Sequence, residues 1–302
     1  MLDLLIRAGC FVAIIILGFV LRRIGFFKEN AFEVLSKVVI KITLPAAIVK
    51  NFASAVIDPS MLSLAVLGLA GGVLYMAVAY VTLLRGSKEQ KAFAVLNLPG
   101  YNIGVFALPF VSSFLGAAGV VAASIFDVGN SFVCLGGSYG IASCVKAGNG
   151  FDIKRVLKAL GTSVPFLCYI IMLPLALLKV TIPAPVVQLA DIIAGGNAFC
   201  AMLMIGVGFK LEANREQIGY VAKMIGLRFG IGLAVAGIFY FLLPFDIEVR
   251  QALALLAVSP IGAAVPGFTR ELGEDTGTSC TIGSVSIVVS IVLMVTLLSL
   301  ML

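Results

Sequence analysis

Ionisable side chains are rare inside the apolar segments of this chain, and Asp127 is the acid most clearly central to one of them. It stands about ten residues into the segment Ala117–Cys144, roughly 15 Å deep at a helical rise of about 1.5 Å per residue. A carboxyl group at such depth is costly and marks function by default. The chain has no histidine, so Asp127 is the leading candidate for proton coupling. The competing reading is a structural acid, paired with a basic residue or capping a broken helix. Asn130 lies three residues on, close to the same helix face. Lys41 and Arg228 reach comparable depth. Lys41 continues an i, i+4 line from Glu33 and Lys37 towards Pro45. It reads as the counter-charge for an anion, as a snorkelling cation, or as a partner for Asp127. Arg228 reads first as a structural charge in a salt bridge and second as a substrate contact.

A second kind of chemistry is written in the backbone. Between Ala92 and Pro109 an apolar run is interrupted by Asn97, Pro99, Gly100, Tyr101, Asn102 and Gly104. Between Ala252 and Gly267 another is interrupted by Ser259, Pro260, Gly262 and Pro266. Proline removes a donor and clashes with the preceding turn, and glycine adds freedom, so both helices are expected to unwind there. Unwound backbone at membrane depth survives only where protein buries it or it lines a cavity. Helix N-termini at such breaks suit a carboxylate, and unwound carbonyls suit a cation. Asn97, Pro99, Tyr101, Asn102 and Gly104 are therefore substrate-site candidates at the first break, and Ser259, Pro260 and Gly262 at the second, with Asn130 beside them. Kinks made only for packing are the plainer alternative. Asn197, after Gly195 and Gly196, reads either as part of a small-residue patch for close helix approach or as a further site contact.

The elements that must position these groups follow from composition. Apolar residues make up 61% of the 302 and charged residues 12%, and the mean hydropathy is +1.15. A bilayer core about 30 Å thick takes roughly 20 apolar residues per helix, and such windows recur along the whole chain. The expected fold is an all-α integral membrane protein with ten spans, near Leu2–Leu21, Ala31–Asn51, Met61–Leu84, Gln90–Phe114, Ala117–Cys144, Val156–Leu178, Val186–Phe209, Ile218–Leu243, Val249–Arg270 and Thr276–Leu302. The first window is too long and too poorly flanked for a cleaved signal peptide.

Alternate loops concentrate basic residues: Arg22, Arg23 and Lys28; Arg85, Lys88 and Lys91; Lys146, Lys154, Arg155 and Lys158; Lys210, Arg215 and Lys223; and Arg270. The opposite side has Arg7, Lys50, Lys179 and Arg250. The positive-inside rule makes the first set cytoplasmic and both termini extracytoplasmic. Residues 1–145 and 156–302 then form two five-helix halves of opposite orientation, joined by a cytoplasmic linker, 146–155. The two breaks fall in the fourth span of each half. Ala92, Ala94 and Leu96 echo Ala252, Ala254 and Leu256 at one constant offset.

Several function classes drop out. The net charge of +6 sits in loops, where membrane orientation explains it better than nucleic acid does. The six cysteines have no metal-ligand spacing, and without histidine most zinc, haem and triad chemistry is improbable. No Walker motif supplies a nucleotide site.

The interrupted fourth span, with Asn97, Pro99, Tyr101, Asn102 and Gly104, resembles the Asn/Pro-rich crossover of the auxin efflux carrier family, in its bacterial malonate- and malate-permease-like branch. Leu44-Pro45, Gly195-Gly196-Asn197 and Met204-Ile205-Gly206 add to the resemblance, which covers nearly all of the chain. Plant members carry a fuller Asn-Pro-Asn-Thr-Tyr motif and a large central loop that this chain lacks. The resemblance implies a scaffold of helices 1, 2, 6 and 7 that also dimerises. It implies a transport domain of helices 3–5 and 8–10, with broken helices 4 and 9 crossing at its centre and moving by an elevator or rocking motion. The expected function is secondary transport of a small organic anion, a mono- or dicarboxylate such as malonate or malate. A proton or sodium gradient, or the membrane potential, would drive it, with no other cofactor. The expected setting is a homodimer in the inner membrane. A channel or membrane sensor on the same scaffold is the runner-up, and an intramembrane enzyme the third reading.

Overall fold

A computed structural model describes residues 2–53, 55, 57–83, 86–148 and 150–301. Among them all regular structure is helical: α1 (Leu2–Arg23), α2 (Ala31–Val38), α3 (Leu44–Ala53), α4 (Ser63–Thr82), α5 (Lys88–Asn97), α6 (Leu108–Phe114), α7 (Ala117–Phe132), α8 (Ser138–Ala147), α9 (Ile153–Thr162), α10 (Val164–Leu177), α11 (Ala184–Gly195), α12 (Asn197–Gly208), α13 (Ile218–Leu242), α14 (Ile247–Ala257), α15 (Val265–Glu271) and α16 (Thr276–Met301). Six helical stretches of the described residues are long and apolar enough to cross a membrane, or seven if the bent pair α9–α10 is counted as one. This is an all-α membrane protein.

Local chemistry sets the ends. Ser87 and Gln90 form a reciprocal capping box at the start of α5, which satisfies two donors that the first turn leaves unpaired. Asp58 accepts the Ser60 N–H at 2.8 Å where the chain turns into α4. Wide π-type turns at Val39–Thr43, Ile103–Ala107 and Val133–Gly137 join α2 to α3, lead into α6, and join α7 to α8. Each inserts extra backbone into a helix and re-aims the side chains beyond it.

The expected sixth span, Val156–Leu178, is not one straight helix. The chain breaks at Ser163, and α9 meets α10 at a bend of 76°. Ser163 is extended and its hydroxyl accepts the Phe166 N–H at 3.4 Å, while Pro165 sits in the first turn of α10. Together they start a new helix rather than continue the old one.

Packing depends on glycine where helices meet backbone to backbone. A Cβ on Gly129 of α7 would lie 1.7 Å from the Ala65 carbonyl oxygen of α4, and one on Gly68 of α4 would lie 2.1 Å from that of Phe126. Gly206 of α12 faces Ile15 of α1 in the same manner, at 2.0 Å. Close approach was expected at Gly195 and Gly196, but a Cβ there meets almost nothing, so the contact on this stretch is made at Gly206. Residues 92–111, most of α7 and residues 251–261 are buried on every side, which places the first interrupted run and the start of the second at the centre of the molecule, while Ala263, Ala264 and Gly267 are exposed.

Candidate functional site

α5 ends at Asn97 and the chain is unwound through Asn102, with Gly100 at φ +81°, a left-handed conformation that a side chain would strain. α14 ends at Ala257, and no regular helix resumes before Val265. The two breaks touch: the Asn102 N–H donates to the Pro260 carbonyl at 2.9 Å. Gly262 of the second break comes close to Cys134 of α7's wide turn, since its Cβ would lie 3.6 Å from the Sγ.

Arg228 of α13 joins the breaks a second time. Its side chain is fully buried, and its guanidinium donates to the carbonyls of Leu98 at 2.9 Å and Ser259 at 3.1 Å. Those residues closely follow the last helical residues of α5 and α14, so one cation serves two helix C-termini, where partial negative charge collects. The guanidinium also stacks over Tyr75 at 4.2 Å and Tyr101 at 4.8 Å. The expected salt bridge is absent: two backbone carbonyls and two aromatic faces compensate this charge, with no carboxylate among its partners in the described residues. Arg228 Nε, Tyr101 OH and Ser259 Oγ are buried here without a hydrogen-bond partner.

Asp127 lies beside the first break and is 8% exposed. One carboxylate oxygen accepts from Asn130 Nδ2 at 2.8 Å and the other from Tyr169 OH of α10 at 3.1 Å. Asn130 in turn clamps the unwound backbone, accepting the Tyr101 N–H at 3.0 Å and donating to the Tyr101 carbonyl at 2.8 Å. Gly104 lets Leu44 of α3 approach, and a Cβ there would sit 3.5 Å from the nearer Asp127 oxygen. The result is a buried carboxylate held by two neutral donors, with no basic side chain paired to it among the described residues. Such a group can take up a proton without breaking an ion pair.

The remaining candidates fall into different surroundings. Asn97 is enclosed in a hydroxyl network, donating to the Phe93 carbonyl at 3.0 Å and Thr269 Oγ1 at 3.2 Å and accepting from Ser279 Oγ at 2.5 Å. It ties the end of α5 to α15 and α16. Asn197 is buried at the start of α12 and accepts from Thr43 Oγ1 at 2.8 Å. Lys41 lies in the wide turn between α2 and α3 and faces outwards, exposed, in line with the exposed Glu33–Lys37 pair at 2.6 Å. The pairing of Lys41 with Asp127 is not formed. Pro99 is buried in the first break.

Three positioning residues escaped the sequence reading. Tyr169 reaches Asp127 from a helix 42 positions away. Ser286 accepts the Ile261 N–H at 3.1 Å, and Ser290 donates to the Val258 carbonyl at 2.7 Å, so α16 holds the second break open. A signal for the serines was present: Ser279, Ser286 and Ser290 are spaced seven and four apart, one face of an otherwise apolar helix. A cavity of about 310 Å³ near the start of α5 is lined by Glu89, Glu216, Glu274 and Asp275 and does not reach the crossover.

Residues 10–148 match the profile of a family described as membrane transport protein. The chain is also 24% identical, over 281 residues and 89% of each chain, to an uncharacterized transporter of Methanothermobacter thermautotrophicus.

Proposed function

We propose that this member of the membrane transport protein family, the auxin efflux carrier family that its crossover resembles, is a secondary transporter of a small mono- or dicarboxylate such as malonate or malate. The carrying observation is the buried meeting of two broken helices, with Arg228 on both C-terminal carbonyls and Asp127 alongside. The protein's ten spans form two inverted halves, with each broken run taken as one span and α10 as the membrane-crossing part of the sixth. Helices 1, 2, 6 and 7 are the scaffold, and helices 3–5 and 8–10 move against it.

Arg228 offsets the two C-terminal ends, so with Asp127 protonated the half-helix N-termini leave the crossover net positive. That favours a carboxylate. In crossed-helix transporters a coupling cation sits on unwound carbonyls; here a guanidinium already takes two of them, which supports a proton or the membrane potential over sodium. Asp127 is the proton carrier in this reading. Its bond to Tyr169 runs from the moving domain to the scaffold, so movement of one against the other exchanges that partner. Asn102, Tyr101 and Ser259 line the substrate side, and Asn97 holds the break in shape. The exposed Glu33–Lys37–Lys41 stripe is costly against lipid and supports a homodimer contact on the scaffold of this inner-membrane protein.

The test is uptake of labelled malonate and malate into proteoliposomes, under separately imposed proton and sodium gradients. Saturable uptake that follows the proton gradient or the potential is expected. Conductance of many ions per opening, or no carboxylate uptake under any gradient, would overturn the proposal.

A further inference from the structure

α9 stands apart from the spanning helices. It is a ten-residue amphipathic helix bent by 76° from α10, too short to cross a bilayer. Val156 and Leu160, each 3% exposed, form its protein-facing stripe against the wide turn of Val133–Gly137. On the next flank Ile153 and Leu157 are 52% and 55% exposed, with Phe151 just before the helix also exposed. Beyond them, at 100° per residue, come Lys154 and Lys158, one turn apart and both exposed. Among the described residues neither lysine has an acidic partner. Arg155, on the opposite flank, is taken: it pairs with Glu271 at the end of α15 and stacks on Tyr139 at 3.9 Å. Lys146 also meets the end of α15, pairing with Glu274 at 2.6 Å and donating to the Leu272 carbonyl at 2.8 Å.

We propose that α9 lies in the membrane interface and that Lys154 and Lys158 bind the phosphate headgroups of anionic phospholipid. Ile153 and Leu157 enter the acyl region beside them. An apolar flank running directly into a pair of unpartnered lysines is the pattern of a helix lying in that plane, and an anionic leaflet supplies the missing counter-charge. Because Arg155 of the same helix pairs with Glu271, bound lipid is linked to the end of the second broken helix in this conformation. The proposal rests on the membrane reading but not on the identity of any transported substrate.

The chain has no tryptophan, so Leu157→Trp supplies a single indole on the apolar flank; Ile153→Trp is the alternate reporter if that variant does not fold. The protein is reconstituted in phosphatidylcholine with a minor fraction of either brominated phosphatidylglycerol or brominated phosphatidylcholine. Quenching by the anionic lipid should exceed that by the neutral one, by an enrichment of up to about fivefold per lysine. The preference should vanish when Lys154→Gln and Lys158→Gln are added. No quenching by either lipid removes α9 from the interface. Equal quenching removes the headgroup site, and a preference that survives both glutamines removes the lysines.

Discussion

Replacing Arg228 with methionine keeps most of the side-chain length and removes the guanidinium. The Leu98 and Ser259 carbonyls, now 2.9 and 3.1 Å from its nitrogens, would lose a donor deep inside the protein. An orphaned buried acceptor costs about 1–3 kcal/mol, so the pair costs about 2–6 kcal/mol. Loss of the stack between Tyr75 and Tyr101 adds up to about 2 kcal/mol. Removing a desolvated charge returns part of this, because a buried ion carries its own penalty. A net destabilisation of about 2–5 kcal/mol is expected on those terms. Arg228→Lys keeps the charge but lacks the planar fork that reaches two carbonyls at once, so its stability should fall between the two. Thermal unfolding in detergent measures the stability, and proteoliposome uptake of malonate or malate measures the consequence for transport. Both variants should be impaired in uptake, the methionine variant more severely. If Arg228→Met melts with the wild type and transports at the wild-type rate, the guanidinium does not hold the breaks together and the argument from the two C-termini fails.

Asp127→Asn should abolish gradient-driven accumulation while leaving substrate exchange measurable, since the amide keeps the shape but takes up no proton. An unchanged pH dependence of uptake in that variant would exclude Asp127 from coupling. Asn97→Ala should lower the melting temperature by the equivalent of about 1–3 kcal/mol, because Ser279 and Thr269 lose their shared partner, while the KM of the surviving protein stays as it was. A raised KM at unchanged stability would instead make Asn97 a substrate ligand. Gly129→Ala should prevent normal assembly of α4 on α7, since its Cβ would lie 1.7 Å from a backbone oxygen. Wild-type yield and melting for that variant would contradict the backbone contact.

Much of this architecture is legible along the chain because it depends on segments alone. Apolar composition determines the solvent, and Pro99, Gly100, Pro260 and Gly262 determine where helices unwind, since a missing donor or a missing side chain acts on its own turn. Asp127 stands out for the same reason, as one acid within an apolar run. What partners each polar group finds is another matter. Arg228 meets Leu98 across 130 positions, and Asn97 meets Ser279 across 182. No local pattern distinguishes a buried arginine paired with a carboxylate from one paired with two helix ends. Helical periodicity puts Lys41 on one line with Glu33 and Lys37, but only packing decides that this line faces outwards rather than towards Asp127. The 76° bend at Ser163 turned part of an expected span into a surface helix, although Ser163 and Pro165 were in plain view. Sequence alone therefore determined the membrane, the helical class and the positions of the two proline- and glycine-marked breaks. Tertiary packing alone decided which charges are compensated and by what, because compensation in a low-dielectric interior is a property of neighbours in space.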